Sequence, residues 1–123
     1  MKKNYLLFLF ILLNLPAFAQ YVSLSEKAEI SILTIGPGDN LYDKFGHSAF
    51  RVYDPENDID YAFNYGVYDF DTPNFYTKFA QGKLLYKLAV SEFEPFLNSY
   101  KAQDRWVEEQ VLNLSYSEKQ GVF

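Results

Sequence analysis

The 123-residue chain has no cysteine, one histidine, one tryptophan and a single long apolar run. Without cysteine, no disulfide framework holds the fold and no thiol chemistry starts within these residues. With a single histidine, no pair of imidazoles grips a metal. Basic residues are scarce: setting aside Lys2 and Lys3 leaves 9 Lys+Arg against 16 Asp+Glu, a formal charge of −7. That balance opposes nucleic acid and anionic membrane surfaces as partners, because both call for a basic patch. Repeats, low-complexity tracts and Pro/Gly/Ser-rich linkers are missing, which leaves one domain or part of one. Aromatic residues, in contrast, make up 20% of the chain, far too many for a disordered linker.

The apolar run belongs to an export signal expected over residues 1–19. Lys2 and Lys3 supply the positive start, Leu6 to Leu13 the apolar core, and Ala17-Phe18-Ala19 the small-x-small cleavage site. The core is shorter than the roughly 20 residues that cross a bilayer, and no second such stretch follows. A periplasmic domain over residues 20–123 is expected, with no transmembrane segment after the signal is removed.

Its pattern predicts an α+β fold, an antiparallel sheet of about four to five strands with two to three helices. Ala28 to Ile35 reads as a strand, and Gly36-Pro37-Gly38-Asp39-Asn40 as a turn in which glycine supplies positive φ. Leu41 to Phe45 is a short helical piece, and Gly46 lets backbone approach closely before His47. From there the chain alternates, His47, Ala49, Arg51 and Tyr53 on one face and Ser48, Phe50 and Val52 on the other. Asp54 to Asp58 turns the chain, and Ile59 to Gly66 returns, setting His47 opposite a residue between Asn64 and Gly66. Thr72-Pro73 reads as a helix start and Gly82 as its end. Leu84 to Val90 alternates as a strand. Ser91 with Glu94 reads as a capping box for a helix carrying Phe93, Phe96, Leu97 and Tyr100 on one side. Trp106 to Leu114 returns to the sheet. Ser115 with Glu118 is a further capping box, opening a short helix that Phe123 leaves with nothing to pack under, so the domain is expected to continue.

His47 admits three readings. As a metal ligand it would need Asp39, Asp43 or Asp54, none at a zinc-pair spacing. As a structural ring it would be one more buried aromatic. As a general base it needs an orienting group and a nucleophile. Asn64, on the adjacent strand, fits the orienter, or else caps its own turn at Tyr65-Gly66. No nucleophile is evident: Ser48 points to the opposite face, and Ser31, Ser91 and Ser99 lack an elbow-like glycine context.

Asp58, Asp60, Asp69 and Asp71 offer acid pairs of the glycosidase kind, but sit in or beside turns where aspartate is ordinary. Arg51 and Arg105 either hold an anionic ligand or pair with the acidic surface. The aromatic stretch Tyr61 to Phe79 is either core or the wall of a groove for peptide or sugar.

The segments ILTIGPGDNLYDKFGHSAFRVYDP, FNYGVYDFDTPNFYTKFAQGKLLYKL and RWVEEQVLNLS, in this order, resemble the Lnb N-terminal periplasmic domain, a family of exported bacterial proteins. The resemblance implies a domain continuing past Phe123 into a helix with an Asp-Asn-Cys motif, similar to circularly permuted papain-like thiol hydrolases. It implies His47 as general base, Asn64 as orienting residue and a cysteine beyond these residues as nucleophile. No cofactor and no metal is implied. The partner would be an envelope substrate or protein, together with the C-terminal remainder of the same domain.

Overall fold

A computed structural model describes residues 22–123, so the expected export signal lies outside the described residues. Five strands form one antiparallel sheet: β1 Glu29–Ile35, β2 His47–Asp54, β3 Ile59–Tyr68, β4 Tyr86–Glu92 and β5 Val107–Val111, in spatial order β4-β3-β2-β1-β5. Three helices accompany it, α1 Phe75–Ala80, α2 Phe93–Lys101 and α3 Tyr116–Val122. The expected α+β class, with its antiparallel sheet and helices, is the observed one.

Alternation along β1 and β2 gives the sheet two apolar faces. On one, Leu33, Ile35, Ala49 and Ala62 pack under Phe96 and Tyr100 of α2. On the other, Ile30 and Val52 meet Leu24 and Ala28 of the N-terminal segment, with Leu112 and Leu114 alongside. Burying each large aliphatic side chain contributes about 1.5–3 kcal/mol. Because period-2 alternation sorts each strand between these clusters, a one-residue slip of β2 would exchange His47 with Ser48 and expose Ala49.

Three local expectations are corrected. The first helix starts at Phe75, not at Thr72-Pro73: its N-cap is Asn74, in the left-handed region (φ 57), and no side chain caps it. Thr72 instead closes a turn through its N–H to the Asp69 carbonyl, 3.1 Å. Ser91 stays in β4, so the box with Glu94 does not form; α2 begins after Glu92, and Pro95 falls in its first turn, where a missing N–H is harmless. Gly36 and Gly38 are required for space and not for positive φ. A Cβ on Gly36 would lie 2.5 Å from the Trp106 ring, and one on Gly38 2.9 Å from Asp43 Cβ.

The capping box of Ser115 and Glu118 is formed. α3 is also tied down, because Gln120 exchanges two hydrogen bonds with the backbone of Leu24, 2.8 and 3.0 Å. Those bonds join the two ends of the described chain.

Candidate functional site

The turn from β1 into β2 builds the site. Gly46 has φ 64 and its N–H reaches the Asp43 carbonyl at 3.0 Å, while a Cβ there would collide with the Ile35 carbonyl oxygen. That tight passage delivers His47 to the first position of β2, directly after a residue only glycine suits. Register continued from the Phe50–Phe63 pair sets His47 opposite Gly66, within the expected span. A Cβ on Gly66 would lie 3.6 Å from His47 Cδ2, an ordinary contact distance that places this residue directly against the ring. Between Asn64 and Val67 the pairing of β3 with β4 shifts by one residue, a bulge beside the site.

The imidazole forms one wall of a cleft of about 870 Å³, shared with Tyr42, Asp43, Asn64, Tyr68, Tyr100 and Arg105 among others. Its Nε2 lies 2.9 Å from the Tyr100 hydroxyl. Asn64 does not bond the ring directly. Its Oδ1 accepts from the Gly66 N–H at 2.9 Å, the turn-capping alternative, and its Nδ2 donates to the Tyr100 hydroxyl at 3.4 Å. With Oδ1 committed to Gly66, Nδ2 is the donor and the tyrosine oxygen accepts from it; that oxygen keeps a second lone pair and its own proton, so it can pair with either tautomer of His47 at Nε2. Burial, and after it the positive charge of Arg105, hold the imidazole below its ordinary pKa, with Asp43 partly opposing. Burial raises the Tyr100 hydroxyl, which stays a proton donor.

Tyr100 went unassigned in the sequence reading beyond its place on the apolar side of α2. The signal available was that same position, seven residues after Phe93, where a tyrosine hydroxyl entering a core needs a polar partner.

Arg51 and Arg105 part company. Arg51 has all three nitrogens engaged: Nε and Nη2 on Asp60 at 2.7 and 2.9 Å, and Nη1 on Glu109 at 3.1 Å. Its guanidinium also sits 3.6 Å from the Phe93 ring centroid. Arg105 is the more deeply buried, its side chain 3% exposed, with Nε on the Gly36 carbonyl at 2.8 Å and Nη1 near Gln103 and Asp43 at 3.3 and 3.4 Å. Its Nη2 is buried and has no hydrogen-bond partner among the described residues.

The remaining candidates lie elsewhere. Asp54 sits at the far end of β2 and accepts four hydrogen bonds from Ser25, Glu56 and Asn57. Asp60 serves Arg51, and Asp69 serves Lys87 at 2.9 Å. Ser31 donates to Glu109 and Ser99 to the Phe96 carbonyl. None of Ser31, Ser48, Ser91 and Ser99 bonds His47. No cluster of His, Asp and Glu able to hold a metal occurs among the described residues. The aromatic stretch supplies both core and wall: Tyr68 touches Tyr42, Phe75, Phe79 and Tyr86 edge-on or tilted, while Tyr65, Phe70 and Tyr76 stay more than half exposed. Burial, then the Tyr86 hydroxyl, push the Tyr68 pKa up to about 12.

The protein is thus an antiparallel α+β domain with a half-buried, tyrosine-bonded histidine in the wall of an aromatic-lined cleft. The sequence matches the Lnb N-terminal periplasmic domain over residues 16–122, and the chain belongs to that family. The domain is periplasmic, and no helix among the described residues is long and apolar enough to cross a membrane. No curated protein and no solved structure matches the chain.

Proposed function

We propose that this domain is the histidine-bearing part of a periplasmic Cys–His hydrolase or acyltransferase acting on an amide or ester. The observation that carries the reading is the setting of His47: it lies in the wall of the cleft, with Nε2 2.9 Å from the Tyr100 hydroxyl and burial lowering its pKa. A base must be unprotonated at working pH and held in place, and the lowered pKa and the Tyr100 contact both favour this. The nucleophile is a cysteine thiol that these 123 residues do not contain. With Nε2–H donating to the Tyr100 hydroxyl oxygen, the thiol proton passes to the free lone pair of Nδ1 and the thiolate adds to the carbonyl carbon; the proton then goes to the leaving amine or alcohol as its bond to that carbon breaks and the acyl–sulfur bond remains. Water or an acceptor amine or alcohol then takes the acyl group. Tyr100 suits both protonation states of the ring, because its oxygen can accept from Nε2–H in the neutral ring and in the imidazolium alike and keeps a second lone pair for Asn64. Asn64 then orients His47 at one remove.

The test uses a polypeptide that joins this domain to its cysteine-bearing sequence and follows covalent acylation by mass spectrometry with an activated ester. His47→Ala is expected to slow acylation by about 10²-fold or more. Unchanged acylation would defeat the proposal.

The second reading is a non-catalytic envelope module that binds peptide, glycan or protein. It is favoured by the exposed rings of Tyr65, Phe70, Tyr76 and Tyr86 along the same region. Ligand binding that survives His47→Ala with no acylation in either protein would select it.

A further inference from the structure

We infer that Arg105 makes the floor of the cleft an oxyanion subsite, built to take a carboxylate or phosphate group of the ligand beside His47. The inference rests on the cleft being a ligand site, and it adds the charge class of what enters.

A guanidinium presents five N–H donors, and burying it is tolerated when those donors are met. Arg51 shows the satisfied case, every nitrogen engaged by carboxylates. Arg105 is more buried and less satisfied. Nε is held by the Gly36 carbonyl, Nη1 has one hydrogen bond of 3.3 Å and a long ion pair of 3.4 Å, and Nη2 has nothing. Leaving a charged donor buried without a partner is expensive, and a native fold keeps such a group where a ligand, ion or water completes it.

The surroundings hold the side chain in place. Gly38 packs its backbone so close that a Cβ would come 3.3 Å from Arg105 Cδ, and the Tyr100 ring lies 5.0 Å beneath the guanidinium. The same Tyr100 holds His47, and the charge of Arg105 is felt by the imidazole. Asp43 is the only carboxylate lining this cleft among the described residues; it neutralises Arg105 in the absence of ligand and competes with an incoming anion.

The experiment is a titration of the protein with sodium acetate and, separately, inorganic phosphate at constant ionic strength, read on the imidazole NMR signals of the chain's one histidine. Saturable displacement of those signals with at least one anion, accompanied by an upward shift of the His47 pKa, is the expected result. The better of the two anions assigns carboxylate or phosphate. Asp43→Asn, which removes the competing charge and leaves Arg105 in place, is expected to tighten binding several-fold; Arg105→Gln is expected to abolish it. A linear, unsaturating response, or a Asp43→Asn protein that binds no tighter, would overturn the subsite and leave a bound water only as the partner of Nη2. Because binding is read without turnover, failure here leaves the acyl-transfer proposal standing, and failure of acylation leaves this one standing.

Discussion

At the scale of single residues, two ionisable groups in β2 carry the pH dependence of the fold. Burial alone would push the Asp54 carboxyl up, but hydrogen bonds from Ser25, Asn57 and the Glu56 N–H outweigh it and bring its pKa down to about 2. A depressed carboxyl stabilises the fold fully above the unfolded value of about 3.9, and loses that contribution as the pH falls toward the folded value. Asp54→Ala is expected to destabilise by about 2 kcal/mol or more at neutral pH, since it strands buried donors. In urea unfolding, the gap from wild type should narrow below pH ~4. His47 acts in a separate window. Its folded pKa is lowered, so the unfolded chain takes up the proton first, and stability falls as the pH drops below about 6.5. His47→Gln should lose the acid destabilisation that sets in below about pH 6.5 and keep the part owed to Asp54 at lower pH, as followed by thermal unfolding. The histidine was visible in the sequence as a candidate, but the tyrosine that fixes it was not. A hydroxyl 53 positions away is brought to Nε2 only by the packing of α2 on the sheet.

At the scale of elements, the strands were the legible part and the helix starts were not. Strand alternation reports a buried face directly, and β2 and β3 pair in the register their turn dictates. Helix starts depend on which of several polar residues the tertiary path selects. Ser115 had no competitor and caps α3, whereas Thr72 was drawn into the Asp69 turn and Ser91 into the β3 ladder. Ser115→Ala should therefore lower stability by about 1 kcal/mol. Thr72→Ala should change it by less than about half of that, measured side by side in urea. Gly46 tests the loop between β1 and β2. Gly46→Ala combines positive φ with a collision at the Ile35 carbonyl, and is expected to destabilise by about 1–3 kcal/mol and to disturb the His47 signals more than those of β5.

At the scale of the whole molecule, the sheet keeps its two faces for different tasks. One cluster, around Leu24 and Ile30, closes the N-terminal segment onto the sheet, and Gln120 ties α3 to that segment; the other, around Leu33 and Phe96, supports the cleft. Leu33→Ala should cost about 2–5 kcal/mol and loosen the seat of Tyr100, while Val52→Ala should destabilise without moving the His47 signals. The α+β architecture followed from alternation and turn residues. The cleft did not, because it is assembled from the β1–β2 turn, the bulged end of β3, and α2, elements remote in sequence and joined only by the fold. The arginine pair shows the same limit: both side chains read alike in the sequence, and only the count of filled donors separates them. All of these elements meet at one imidazole, and the chain has no other. The most direct measurement is therefore the nitrogen-15 spectrum of that ring at neutral pH, in wild type and Tyr100→Phe. The account predicts a neutral ring with its proton on Nε2, donated to the tyrosine oxygen, and Nδ1 free, and a move toward the Nδ1–H form when the tyrosine hydroxyl is removed. A ring already protonated at neutral pH, or a tautomer unchanged by Tyr100→Phe, would contradict it.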